Sequence, residues 1–193
     1  MQLGLPVQLS GRLTDEAGIP LASQPVEVQA LVGTRWRTSS TQTTDSQGGF
    51  SALVKPRRNR SLRASFPGSG ELAPTASAPV AVRVRPIVGL TRAPATGSTG
   101  KPTVLRGKVS PRKRSVWQVL QVRRGSRWPV VGVKRLSVAR NGTFRGSFVP
   151  AGSRRYRYYV TSRADSVTAR AASEVYQLRV SRPRRRGGAV AAP

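Results

Sequence analysis

The sequence predicts an all-β fold: two tandem β-sandwiches followed by a basic tail. Three observations carry this prediction. Apolar and polar residues alternate along short runs, turn sequences separate those runs, and one set of motifs occurs twice in the same order. Alternation with a period of two is typical of strands with one buried and one solvent-facing side. Short strands joined by frequent turns indicate a sandwich rather than a helical bundle.

The strands are clearest in residues 26–32, 80–84 and 176–180, where every second residue is apolar. Between such runs lie Asp-x-x-Gly or Asn-Gly sequences, at residues 15–18, 45–49 and 141–142. Glycine and asparagine supply the positive φ angles that hairpin turns need. We therefore expect antiparallel hairpins at these places and find no pattern that predicts a helix.

Five motifs recur in register at offsets of 92 to 96 residues. Among them, Gly11 matches Gly107, and Trp36 matches Trp128. The recurrence predicts two domains of about ninety residues. We place them at residues 1–88 and 89–181, with a strongly basic second domain. We expect residues 182–193 to form a mobile basic tail.

The composition excludes much of catalysis. The 193 residues include no His and no Cys, and 34 basic side chains stand against 7 acidic ones, a formal net charge of +27. Histidine-based acid–base chemistry, thiol nucleophiles, zinc–thiolate sites and disulfides are therefore absent. We predict that the protein is not an enzyme and has no cofactor.

The carboxylates leave two interpretations open. In one, Asp15, Glu16 and Asp45 meet at one loop end and hold Ca²⁺, which takes six to eight oxygen ligands. The interpretation that we favour is that Asp15 and Asp45 cap tight turns through hydrogen bonds to the backbone. We accordingly predict no metal site.

No apolar run reaches the roughly 20 residues of a membrane-spanning helix. The first residues have neither the charged start nor the apolar core of a signal peptide. The chain is then either cytosolic or a segment of a longer exported protein, and its strand-like beginning favours the second.

Several segments resemble the bacterial Ig-like surface repeats and the carboxypeptidase regulatory-like domains. Residues 10–21, followed by 25–28, resemble the opening of such repeats. Residues 44–50 resemble their T-D-x-x-G-x-F hairpin, and residues 66–77 resemble a late Pro-Gly segment in which Leu72 replaces an aromatic residue. The resemblance implies Ig-like sandwiches acting as spacers, stalks or adhesive modules of exported bacterial proteins, located outside the cell or at its surface. It implies no fixed functional residues.

The tryptophans are the first candidates for a binding role. Trp36 and Trp128 each follow a Gly-x-Arg turn, and their recurrence favours a place at the core or its edge over an exposed platform. Trp117 has no counterpart in the first domain and is the better surface candidate. Along 155–161, alternation places Arg157 and Tyr159 on one strand face and Tyr156 and Tyr158 on the other.

Charge is concentrated in the second half. Residues 1–100 hold 11 basic and 5 acidic side chains, whereas residues 101–193 hold 23 and 2. Such a surface attracts polyanions. The candidate polyanion-binding residues are Arg112, Lys113, Arg114, Trp117, Arg123, Arg124, Arg155, Arg157, Tyr159, Arg184, Arg185 and Arg186.

Two functions remain open at this level. The first is a non-catalytic structural or adhesive module that docks electrostatically on an anionic cell-wall polymer or glycan, with self-assembly or neighbouring domains as further partners. The second is a basic protein that associates with nucleic acid without reading its sequence, because no recognised nucleic-acid-binding motif is present.

Overall fold

The structure, a computed structural model, describes residues 1–182 and contains strands but no helix in that range. The strands are β1 (Val7–Arg12), β2 (Pro25–Val32), β3 (Arg35–Thr43), β4 (Gly49–Val54), β5 (Arg60–Phe66), β6 (Thr75–Ala76), β7 (Val80–Val82), β8 (Ile87–Arg92), β9 (Thr96–Ser98), β10 (Thr103–Ser110), β11 (Ser115–Val122), β12 (Val130–Ser137), β13 (Thr143–Phe148), β14 (Arg155–Ser162), β15 (Ala171–Ala172) and β16 (Tyr176–Ser181). The all-β prediction is confirmed.

The described part of the chain has no helix able to cross a bilayer.

The chain divides into two compact units. The first contains Met1–Arg85 together with Ala164–Ala169, and the second contains Pro86–Arg163 and, among the described residues, 170–182. Residues 164–169, assigned from the sequence to the second domain, therefore belong to the first unit. Within that unit, the Ala169 N–H donates to the carbonyl oxygen of Val84 at 2.8 Å. Of the predicted tail, residues 183–193 lie outside the described residues.

The first unit consists of a two-stranded and a five-stranded sheet. Strand β1 pairs with β4, and the larger sheet has the order β3-β2-β5-β6, with β7 also pairing with β5. Buried Ala30 and Leu62 of the larger sheet pack with Val7 and Val54 of the smaller one. The side chains at 26, 28 and 30 point inward, as the alternation along β2 predicts, while Val32 is exposed at the strand end.

The second unit is built on the same plan with more strands. Its smaller sheet has the order β13-β10-β8, and its larger sheet has the order β12-β11-β14-β16-β9, with β15 also pairing with β14. One hydrophobic core joins the two sheets, formed by Val88, Leu105, Val109, Val116, Leu120, Val122, Leu136, Val138, Phe144, Tyr156, Tyr158, Val160, Leu178 and Val180. Burying a Val or Leu side chain of this kind contributes about 1.5–3 kcal/mol. The unit is a two-layer sandwich.

The turns at Asp45 and Asn141 differ from the predicted hairpins. The turn after β3 leads to β4, and the turn after β12 leads to β13, so each takes the chain from the larger sheet to the smaller one. Both turns close in the same way. The N–H of Gly48 donates to the carbonyl of Asp45 at 2.9 Å, and the N–H of Gly142 donates to that of Ala139 at 3.0 Å. These turns contain the glycines that a hairpin turn needs for positive φ angles. The packing of the two sheets nevertheless places the next strand in the other sheet.

Candidate functional site

The outer face of the larger sheet in the second unit gathers the aromatic and basic candidates. Along β14, the inward side chains Tyr156, Tyr158 and Val160 are buried, so Arg157 and Tyr159 point outward, as the alternation predicts. The register places Gln121 opposite Arg157 and Val119 opposite Tyr159. Side chains opposite each other on adjacent strands lie close enough to interact.

Basic residues of the neighbouring strands join this face. Arg179 of β16 lies opposite Arg155 of β14, and Arg135 of β12 lies opposite Trp117 of β11. We call this surface the cationic face; its members are Trp117, Trp128, Arg135, Arg155, Arg157, Tyr159, Arg163 and Arg179. No strand of the larger sheet in this unit carries Asp or Glu. The face is therefore positive along its described strands.

Arg157 is held in place by two neighbours. Its guanidinium carbon lies 4.7 Å from the ring centroid of Trp128. Its Nε–H donates to Oε1 of Gln121 at 2.6 Å, and the side-chain amide of Gln121 donates to the carbonyl of Trp128 at 3.0 Å. A guanidinium fixed through Nε and its planar face keeps two Nη groups as donors for bidentate pairing with phosphate or carboxylate.

A second arginine–tryptophan stack lies further along the face. The guanidinium carbon of Arg163 is 4.4 Å from the ring centroid of Trp117. Trp117 lies near the start of β11 and Gln121 near its end, so the two stacks are separated along the strand. Tyr159 lies between them. Cation–π contacts of this kind are worth about 0.5–1 kcal/mol at exposed sites.

The first unit repeats the arginine cluster with one difference. Arg63 lies 4.3 Å above the ring of Trp36, and its Nε–H donates to Oε1 of Gln29 at 2.9 Å. Here, however, the amide of Gln29 donates to a carboxylate oxygen of Glu27 at 2.7 Å. Glu27 precedes Gln29 by two residues; Val119 stands at the same place before Gln121. The face of the first unit thus carries an acid that the second unit lacks.

The carboxylate of Glu27 is ionised in this setting. It accepts hydrogen bonds from the Gln29 amide and, at 2.8 Å, from the hydroxyl of Thr38. These two hydrogen bonds, the Gln29 bond first, lower the pKa of Glu27 below its usual value because they stabilise the charged form. The negative charge of Glu27 partly offsets the positive charge of Arg63 on the same face.

The prediction that Trp36 and Trp128 lie at the core or its edge is wrong. Both rings are partly exposed and lie on the outer side of the larger sheets, beneath Arg63 and Arg157. The two tryptophans recur because each makes the same kind of contact. That contact is with an arginine side chain of another strand and not with the hydrophobic core. Trp117, the preferred surface candidate, does lie on the outer face.

The other basic candidates lie at the two ends of β11, where Arg123 donates its backbone N–H to the carbonyl of Arg155 at 2.9 Å. Residues 112–114 precede β11, while Arg123 and Arg124 follow it, so the two groups lie at opposite ends of that strand. The prediction that Lys113 belongs to a polyanion-binding surface is wrong. Its side chain is buried, with 7% exposed, and its ammonium donates to the carbonyl of Arg163 at 3.2 Å. Arg184, Arg185 and Arg186 lie outside the described residues.

The candidate residues predicted from the sequence did not include Arg135, Arg163 and Arg179. Strand pairing brings Arg135 and Arg179 to the face, and the stack on Trp117 brings Arg163. The alternation of β16 was visible and placed Arg179 on its outward side. Nothing in the sequence showed that β12 and β16 lie on either side of the β11–β14 pair.

The carboxylates at the turns act as caps. Oδ1 of Asp15 accepts from the Ile19 N–H at 2.8 Å, and Oδ1 of Asp45 accepts from the N–H groups of Gln47 and Gly49, each at 2.8 Å. These are the hydrogen bonds that the turn-capping interpretation predicted. No cluster of three potential metal ligands occurs among residues 1–182.

Comparison with known proteins gives no family for the chain. No protein-family model matches it, and no curated protein sequence matches it. Among solved structures, it is similar to the crystal structure of the ICAM-5 D1–D4 ectodomain fragment, with a TM-score of 0.41 and 16% sequence identity. The similarity covers 93% of this chain and 50% of that one, so the chain spans half the length of that structure.

Proposed function

We propose that the protein is a non-catalytic structural or adhesive module of an exported bacterial protein or assembly, and that its cationic face docks on an anionic polymer. The sequence resemblance to tandem Ig-like surface repeats supports the first part of this proposal. It also supports a location at the cell surface or outside the cell. The partner is an anionic cell-wall polymer or an acidic glycan.

The observation that carries the proposal is the contrast between the two arginine clusters. Both hold an arginine over a tryptophan with a glutamine at its Nε. Only the first adds the carboxylate of Glu27 to this network. Since a polyanion is repelled by a carboxylate and attracted by arginines, the second unit is the better docking surface.

The chemistry of the face fits a polymer that combines anionic groups with sugar rings. Guanidinium groups pair with phosphate or carboxylate oxygens in a bidentate manner, which a lysine ammonium does not. The aromatic ring of Tyr159, which lies between the two arginine–tryptophan stacks, offers flat apolar surface to a ring of the polymer. Spacing of the arginines across several strands suits an extended ligand rather than a small one.

The test compares Arg157→Gln with Arg63→Gln in the full chain. Each variant loses one positive charge from the same kind of cluster, so each is the control for the other. Binding is measured at several salt concentrations to polyglycerol phosphate, heparin and single-stranded DNA. We expect Arg157→Gln to weaken binding to polyglycerol phosphate or heparin about 3- to 10-fold at low salt, and Arg63→Gln less than about 2-fold. Circular dichroism checks that both variants are folded.

Equal losses in the two variants would mean that only total charge matters, and the cationic face would not be the docking site. Binding to DNA that persists at higher salt than binding to the other polymers would favour the nucleic-acid-associated alternative.

A further inference from the structure

The first unit has a strand with an open edge. Strand β1 pairs with β4 along one side, and no other strand of residues 1–182 pairs along its second side. Strand β10 makes the same contacts in the second unit, because Gly107 pairs with Phe144 as Gly11 pairs with Phe50. Yet β10 is paired on both sides, with β13 on one and β8 on the other. The first unit has no counterpart of β8.

A cleft lies where that missing strand would be. Its volume is about 470 Å³, and it runs between β1 and the strands β5 and β6. Apolar side chains form much of its lining: Leu9, Leu13, Val26, Phe50, Ala64, Phe66, Ala76 and Val80. None of its lining residues is acidic, and Arg12 is the basic one.

In the second unit, β8 fills the equivalent space. It lies against β14 and β15, which correspond to β5 and β6 in the order of their sheet. Val88 is buried, and Leu90 packs against the core. The register of β8 on β10 places Val88 opposite Val109 and Leu90 opposite Gly107. Two apolar side chains two residues apart therefore enter the sandwich.

Exposure of the matched residues differs accordingly. Gly107 is buried, whereas Gly11 is exposed. Phe144 is 4% exposed, whereas Phe50 is only half-buried, and Val80 at the rim of the cleft is 53% exposed. Apolar surface and an unpaired strand edge thus occur together. An edge of this kind is a template for pairing with another chain.

We propose that the first unit binds an extended segment of a partner polypeptide by adding it as a strand to β1. The segment is uncharged where it enters the cleft and carries two apolar side chains at alternate positions, as β8 does. Its backbone pairs antiparallel with β1, and those two side chains lie opposite Gly11 and Leu13, which correspond to Gly107 and Val109. Main-chain hydrogen bonds supply affinity, and the cleft selects the side chains. This site is separate from the cationic face and does not depend on the anionic partner.

The probe is a capped peptide with the sequence of residues 86–92, the segment that fills the equivalent space in this molecule. Two control peptides carry Leu90→Asp or Gly89→Pro; the first places a charge in the cleft, and the second removes a backbone N–H. Binding of labelled peptide to the full chain is measured by fluorescence anisotropy. Amide hydrogen exchange then locates the strand that becomes protected.

The protein variant is Ala76→Arg, which puts a long charged side chain at an exposed position in the cleft lining. Its matched control is Thr41→Arg, the same gain of charge at an exposed position of β3, away from the cleft. We expect saturable binding of the parent peptide, at least a 10-fold loss with either control peptide or with Ala76→Arg, and little change with Thr41→Arg. Exchange of the amides of residues 9–12 should slow when the peptide binds.

Three results would overturn the proposal. One is binding no tighter than that of the control peptides, and another is binding that Ala76→Arg does not weaken. The third is protection that appears at residues 107–109 instead of 9–12, since the peptide would then be replacing β8 in the second unit. Concentration-dependent dimers with residues 9–12 already protected would assign the cleft to a second copy of the chain and would equally refute a separate partner.

Discussion

Gly107 lies directly beneath the ring of Phe144. A Cβ atom at this glycine would overlap the ring and also the carbonyl oxygen of Gly89. The ring is buried in the core and the carbonyl belongs to the paired strand β8, so relief of the overlap requires a core side chain and a strand backbone to shift. At the matching position in the first unit, a Cβ on Gly11 would lie 2.8 Å from a ring carbon of Phe50, which is half-buried, and no strand lies on the other side.

The two glycines should therefore respond differently to the same change. We expect Gly107→Ala to lower the free energy of unfolding by about 2–3 kcal/mol, because overpacking against a fixed ring and backbone is costly. Gly11→Ala should cost about 1 kcal/mol or less, since the Phe50 ring can shift toward the open cleft. Urea unfolding of the two variants, followed by circular dichroism, measures both values. An equal or reversed order would contradict the difference in packing described for the two units.

The Asp45 turn gives a prediction about capping. Replacing Asp45 by Ala removes the acceptor for the Gln47 and Gly49 N–H groups and should lower the free energy of unfolding by about 1–2 kcal/mol. Asp45→Asn keeps a side-chain oxygen and should cost less. Added Ca²⁺ should leave the melting temperature of the wild-type chain unchanged, because the carboxylate is engaged with the backbone. A rise in melting temperature with Ca²⁺ that Asp45→Ala abolishes would restore the metal-binding interpretation.

The sequence predicted those features that follow from one strand at a time. Alternation placed Tyr156, Tyr158 and Val160 inside and Arg157 outside, because the period of a strand is fixed at two residues. It did not place Trp36 and Trp128, because their positions depend on arginines that approach only when other strands pair. The buried Lys113 was missed for a related reason. A basic run looks solvated until the loop that contains it packs its lysine against the carbonyl of Arg163.

The open edge of β1 could not be predicted either. Residues 7–12 have the pattern of an ordinary strand, and their recurrence near Gly107 gives no sign that the two strands have different neighbours. The difference arises in β8, a strand that pairs with β10 and has no match against β1. A repeat in sequence shows which residues correspond but does not show how many strands each sheet contains.

We expect Tyr158 to make the stability of the second unit sensitive to alkaline pH. Its side chain is fully buried, and its hydroxyl donates to the carbonyl of Pro94 at 2.9 Å. Burial, with a smaller contribution from Tyr176, raises the pKa of Tyr158 from 10 to about 12. The folded state therefore favours the neutral phenol. The resulting stability is present in full below pH 10 and is lost as the pH rises toward 12.

We expect the melting temperature to fall as the pH rises above 10, with a loss of about 2–3 kcal/mol over that range. Tyr158→Phe should lower stability at neutral pH, because the Pro94 carbonyl loses its donor, but should reduce the fall at alkaline pH. Thermal unfolding of both chains between pH 8 and pH 12, together with phenolate absorbance, tests this. Identical pH profiles for the two chains would exclude Tyr158 as the cause.

The proposed role of the cationic face also predicts a gain of binding in the first unit. Glu27→Gln removes the negative charge beside Arg63 and Trp36 while keeping a side-chain oxygen for Gln29 and Thr38. If a single carboxylate is what makes this face a poor docking surface, the variant should bind polyglycerol phosphate or heparin about 2- to 3-fold more tightly at low salt. Glu71→Gln is the matched control, because Glu71 is exposed and lies outside the strands of that face. An equal gain in both variants would mean that the polymer responds to net charge alone, and the local contrast between the two arginine clusters would then have no part in recognition.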